Sequence, residues 1–171
     1  MKLLGKKLLI LVADGTNQPE LESLSTQFEC EGAMTYTTSP HQYLTVETTD
    51  GAARGRDVLI DLPIDSITVT DFDALVVPDG KMGVDAIKQS ARARSLIWSF
   101  HQAGIALFAS GAAVEALHES NVLSPAVMVR EQGQGLGQFI DEAVMLLSEQ
   151  PRGGYMLADQ AASVGAYRST M

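Results

Sequence analysis

Ten residues, Ile105-Ala-Leu-Phe-Ala-Ser-Gly-Ala-Ala-Val114, constrain this chain more than any other stretch. A short apolar run ends at Ala109, Ser110 and Gly111 follow, and a helical pattern begins with Ala112, Ala113, Val114, Ala116 and Leu117. An unbroken apolar run lacks the alternation of a half-exposed strand, so it predicts a strand covered on both faces that turns sharply into a helix. Such an elbow is where many α/β hydrolytic enzymes display a nucleophile. Here it offers Ala109, Ser110 and Gly111, and the residue that would react is missing.

The same grammar recurs along the chain. Lys7 to Ala13 is a near-continuous apolar run, Asp14 to Gln18 makes a turn, and Pro19 suits the first position of a helix. Leu21, Leu24 and Phe28 keep helical spacing up to Gly32, and Met34 to Ser39 reads as a second strand. Tyr43 to Thr49 alternates, Asp50-Gly51 is a turn signal and Val58 to Ile60 is strand-like, which together predict a small antiparallel excursion. Leu62 to Asp65 and Val69 to Phe72 read as loop and helical turn. Ala74 to Val77 is the next core strand, halted by Pro78-Asp79-Gly80.

Val84, Ile87, Ala91, Leu96, Ile97 and Phe100 predict one or two helices before Gly104, and Ile105 to Phe108 the fourth core strand. Its helix runs to about Glu119, Ala126 to Val129 forms a last strand, and the stripe from Leu136 to Leu147 is the closing amphipathic helix. This alternation predicts a doubly wound α/β sandwich with a mainly parallel sheet. Ligands in such folds gather beyond the carboxyl ends of the strands, here Asp14, Asp79 and Ser110. One domain is expected over residues 1–149, with a tail poor in core-forming side chains over 150–171.

Composition narrows the function classes. A net charge of -9 disfavours nucleic acid, whose phosphates would repel the chain. The single cysteine, Cys30, rules out an intrachain disulfide and suits the cytoplasm. Residues 1–12 look superficially like a leader, but Lys6 and Lys7 interrupt the run and Asp14 follows without a small-residue cleavage site, so a buried first strand is the better reading. No stretch has the length of a membrane span.

Lys6-Lys-Leu-Leu-Ile-Leu-Val-Ala-Asp-Gly15, Glu20-Leu-Glu22, Asp71-Phe-Asp-Ala-Leu-Val-Val-Pro-Asp-Gly80 and Ala103-Gly-Ile-Ala-Leu-Phe-Ala-Ser-Gly111 together resemble the ThiJ/PfpI superfamily, which is class I glutamine amidotransferase-like. The resemblance covers roughly residues 5 to 148. It implies a flavodoxin-like fold and a superfamily of peptidases, glyoxalases, chaperones and isonitrile hydratases. In its enzymes an elbow cysteine works beside a glutamate from the first helix. By that resemblance Glu20 stands at the glutamate, Ala109 at the nucleophile, Ser110 at the residue after it and Gly111 at the motif glycine. Pro78-Asp79-Gly80 stands where a Pro-Gly-Gly loop lends N–H groups to an oxyanion hole. An alanine methyl cannot attack a carbonyl, so cysteine-type covalent chemistry has no route through Ala109. The short segment from Asn121 to Gln134, with Phe139-Ile-Asp-Glu142 opening the last helix, is more similar to the C-terminal domain of large-subunit catalases, a module without the nucleophile.

The leading expectation is therefore a non-catalytic module acting through binding, oligomerisation or a chaperone-like surface, as a homodimer. It takes no cofactor and no metal, and has no nucleic-acid or membrane partner. The degenerate site is Ala109, Ser110 and Glu20, and a small-molecule ligand of unassigned class would meet Glu20, Asp79, Gly80, Ser110 and Gly111. Ala109→Cys is expected to place a new thiol beside Glu20. One alternative is a hydrolase or glyoxalase-like enzyme using non-cysteine residues, with Ser110 as nucleophile and His41, His101 or His118 as the base. Another is a receiver-like or metal-binding signalling domain with a cation between Asp14 and Asp79.

Overall fold

The computed structural model describes residues 1–122, 127–130 and 133–150. The apolar runs become the inner strands of a sheet: β1 (Lys7–Leu11), β5 (Ala74–Val77) and β6 (Ala106–Ser110). With β2 (Met34–Thr38) and β7 (Val127–Arg130) they form five parallel strands in the order β2-β1-β5-β6-β7. The order reverses between β1 and β5, so the loops leaving these two strands part there and open a crevice at the carboxyl edge. This is the expected doubly wound, flavodoxin-like arrangement.

Strand alternation divides the core into two layers. Leu9, Leu11, Leu75, Val77, Leu107 and Ala109 face α2 (Lys81–Gln89), α3 (Ala91–Gln102) and α4 (Ala113–Glu119). Leu8, Ile10, Val76 and Phe108 face α1 (Gln18–Cys30) and α5 (Leu136–Glu149). The helices bring matching stripes: Leu21, Leu24 and Phe28 from α1, and Phe139, Ile140 and Leu147 from α5. Asn17 caps α1 by accepting the Glu20 N–H at 3.0 Å. Pro19 therefore lies one position further inside the first turn than its sequence context suggests.

The antiparallel excursion is a hairpin of β3 (Thr45–Asp50) and β4 (Ala53–Leu59). Val46 and Thr48 are buried on its inner side, and Gln18 of α1 reaches the Thr48 hydroxyl and the Arg56 N–H. A bridge between Asn17 and Thr49 fastens the hairpin above the carboxyl edge of the sheet. Two short 3-10 turns, Ile64–Ser66 and Val69–Asp71, lead from β4 to β5.

Lys6 explains how a cation fits at the start of an apolar strand. Its Nζ lies 3.3 Å from Asp73 Oδ1 and donates to the Gln150 carbonyl at 3.0 Å, while Asp73 Oδ2 takes the Lys7 N–H. The buried pair thus joins the start of β1 to the end of α5, its charges matched rather than stranded.

One boundary differs in a way that matters for the site. The apolar pattern ends β6 near Phe108, but the strand continues through Ala109 and Ser110. The cause is lateral pairing: Ala109 is in register with Val77 and Val129, and Ser110 with Arg130, so the ladder outruns the hydrophobic signal. Ala126 and the tail from residue 151 onward lie outside the described residues.

Candidate active site

Three loops at the carboxyl edge bring the polar residues together. Glu20 enters from the first turn of α1, placed there by the Asn17 cap. Asp79 and Gly80 follow Pro78, which stops β5 and lets the chain turn. Gly111 makes the turn from β6 towards α4 with φ +56°, a left-handed conformation that glycine adopts without strain.

Glu20 is the centre of the cluster. Its side chain is 6% exposed, and both oxygens are engaged. Oε1 accepts the Asp79 N–H at 2.9 Å, and Oε2 pairs with the Arg130 guanidinium at 3.1 Å. Sequence reasoning missed Arg130. The signal that could have found it is a lone cation closing an apolar strand at the edge where α/β folds bind ligands. A carboxylate with two such partners is held rigidly in place.

Asp79 is tied at three points. Its N–H serves Glu20, its carbonyl accepts the Asn17 N–H at 2.9 Å, and its Oδ1 receives N–H groups from Gly80 at 2.8 Å and Ala112 at 2.9 Å. Residue 79 therefore staples the β1–α1, β5–α2 and β6–α4 loops. Gly80 has φ +131° because nothing larger fits: a Cβ there would lie 2.5 Å from the Gly15 carbonyl oxygen and 2.6 Å from the Asn17 nitrogen.

Ala109 and Ser110 part company. Ala109 is wholly buried in the layer of α2, α3 and α4, and its φ is not positive, so it carries none of the backbone strain of a nucleophile elbow. The expectation that a thiol at residue 109 would sit beside Glu20 is thereby corrected. Alternation along β6 turns Ser110, not Ala109, towards the α1 layer, the side on which Arg130 meets Glu20. Ser110 is 1% exposed, and its Oγ has no hydrogen-bond partner among the described residues.

The remaining candidates disperse. His41 and His118 are exposed, and His101 lies near the end of α3, stacked obliquely on Trp98. None is hydrogen-bonded to Ser110, so a serine–histidine pair is not assembled. Cys30 ends α1 and is exposed. Asp14 is drawn to the hairpin, where its Oδ1 accepts the Glu47 N–H at 2.8 Å. It borders a separate shallow cleft of about 350 Å³ with Glu47, Arg54, Asp57 and Met82. Among the described residues no group of three His, Cys, Asp or Glu side chains is arranged to hold a metal ion. Nor is any helix among them long and apolar enough to cross a membrane.

The fold has counterparts in known structures. Drosophila melanogaster DJ-1beta is similar with a TM-score of 0.69 at 18% identity, over 97% of this chain and 98% of that one. Oxidized Toxoplasma gondii DJ-1 is similar with a TM-score of 0.68 at 18% identity, over 96% and 98%. A two-domain protein of Anabaena variabilis, with DJ-1/ThiJ/PfpI-like and ferritin-like domains, gives a TM-score of 0.71 at 14% identity. Here 94% of this chain covers 58% of that protein. No curated protein matches the sequence significantly. The sequence profile of the DJ-1/PfpI family matches residues 6–128, which takes in α1, the β5–α2 loop and the whole elbow. With the parallel sheet and the acid of the first helix in place, the chain belongs to the DJ-1/PfpI family.

Proposed function

We propose that this chain is a non-catalytic member of its family that works by binding and self-association. The observation that carries this reading is the state of Glu20. An acid that activates a nucleophile must be free to take or share a proton, whereas both oxygens of Glu20 are spent on Arg130 and the Asp79 N–H. Opposite it stands no cysteine, and Ala109 faces the other layer. The trimmed segment between α4 and α5, similar to the catalase module, supports the same reading.

Self-association is supported by the foot of the hairpin, where Tyr43, Leu44 and Leu59 are exposed together. A second copy of the chain is the proposed occupant, with at least about 1,000 Å² buried in total. Light scattering across a concentration series should give twice the chain mass, and Leu44→Asp should shift it to one. A constant single-chain mass in the wild type would remove this part of the proposal.

Turnover assays test the rest. Glyoxalase, peptidase and esterase substrates should give no rate above background. A robust wild-type rate abolished by Ser110→Ala would establish a working enzyme built on the buried serine, the one observation that favours the alternative reading.

A further inference from the structure

We propose that the Asp79 carboxylate is a built-in anion, lodged in a main-chain cradle that would otherwise take a small external carboxylate, and that it keeps such ligands out. The proposal rests on the non-catalytic reading above and deepens it. Two N–H groups from different loops, Gly80 and Ala112, converge on one oxygen, Asp79 Oδ1. Converging main-chain donors of this kind hold oxyanions because they are fixed before the anion arrives. Here the anion is supplied by the chain itself.

The fit is close on the other side too. A Cβ on Gly111 would lie 2.2 Å from Asp79 Oδ2 and 2.3 Å from its Cγ, so the carboxylate fills the space that the missing side chain leaves. Gly111 is exposed and Asp79 half-buried, so an external ion could reach the same place if the carboxylate were gone. The Ser110 hydroxyl, buried one residue before this turn and without a partner among the described residues, is a spare donor on the α1 side of β6.

Charge explains why the native protein would exclude a second anion. Glu20 and Asp79 bring two carboxylates to the cluster and Arg130 one guanidinium. A further negative group would meet repulsion where the surrounding dielectric is low. Asp79 is thus occupant and gatekeeper at once.

Formate is the probe, being a carboxylate with nothing else attached. The test uses the full chain with Asp79→Gly, which restores the Pro-Gly-Gly loop of the superfamily resemblance and is the variant best suited to fold. Thermal melts with sodium formate are compared with sodium chloride at equal ionic strength, which removes general screening. A ligand of three heavy atoms binds at roughly 1 mM at best, so the titration should extend to about 100 mM. Asp79→Gly should melt below the wild type and regain most of the loss in formate but not in chloride. The wild type should not respond, nor should Asp79→Asn, whose amide oxygen can accept the same two N–H groups. Should Asp79→Gly fail to fold, refolding of Asp79→Ala in formate against chloride gives the same reading. A wild type that binds formate as well as Asp79→Gly does, or Asp79→Gly and Asp79→Ala indifferent to formate, would overturn the proposal. Neither result depends on enzymatic turnover, so the proposed function and this inference can fail separately.

Discussion

Ala109 and Ser110 are adjacent in one strand, of similar size and equally buried, yet they meet opposite surroundings. Ala109 belongs to the apolar cluster of Val77, Ala113 and the side chains of α2, α3 and α4. Ser110 faces the layer where Glu20 and Arg130 pair under α1, and its hydroxyl has no partner among the described residues. The difference teaches that the polar cluster lies on one face of the sheet, while residue 109 belongs to the apolar core of the other. β6 runs straight through residue 109, and the turn falls to Gly111.

The harshest way to break the comparison is to separate the loops that create it. Gly80→Ala would drive a Cβ into the main chain of residues 15–17, where no side chain can swing aside. A loss of about 4 kcal/mol or more is expected, and should appear in denaturant melts as a lower midpoint with an unchanged slope. Next comes the polar face. Arg130→Ala leaves Glu20 buried with one partner, for an expected loss of about 2 to 4 kcal/mol. For a chain of this size that is about 2–4 °C in Tm for each kcal/mol, readable by calorimetry.

The sharpest form of the comparison uses the two neighbours themselves. Ala109→Ser puts a hydroxyl into an apolar cluster and should cost about 1–3 kcal/mol. Ser110→Ala removes a hydroxyl that has no partner among the described residues, and should leave stability unchanged or raise it by about 0.5 kcal/mol. Equal losses from both changes would mean that the two faces do not differ as described. Reactivity gives a further check. Ala109→Cys should alkylate no faster than the exposed Cys30, because its thiol is enclosed and lacks a neighbouring charge.

The smallest effect belongs to the surface link between α2 and α4. The hydrogen bond from Lys88 holds the Glu115 carboxyl below its ordinary range and raises Lys88 above its own. A depressed carboxyl stabilises above its unfolded pKa and loses that contribution as pH falls through the folded value. Glu115 is exposed and Lys88 half-buried at the surface, so Glu115→Gln should shift the melting temperature within experimental error at neutral pH and remove what little acid dependence this pair contributes.

Much of the fold was legible in the sequence because burial writes itself into short-range patterns. Unbroken apolar runs marked β1, β5 and β6, a spaced stripe marked α5, and alternation marked the hairpin, though not that β4 begins as early as Ala53. The family motif also placed Glu20, Asp79, Gly80 and Gly111 at one edge of the sheet. Each of these signals needs only the residue's own neighbours in sequence.

What the sequence alone could not determine is which atoms meet across that edge. Whether residue 109 or 110 faces Glu20 depends on how far the ladder with β5 and β7 extends, a matter of lateral hydrogen bonds that hydropathy does not record. That Arg130 would find Glu20 depends on strand register across more than a hundred residues of chain. The Asp79 carboxylate reached two N–H groups only because Gly80 and Gly111 let their loops approach. Local composition set the elements, through burial and backbone freedom. Tertiary packing decided the site, because pairing of charges and donors is a property of distances that only the folded chain defines.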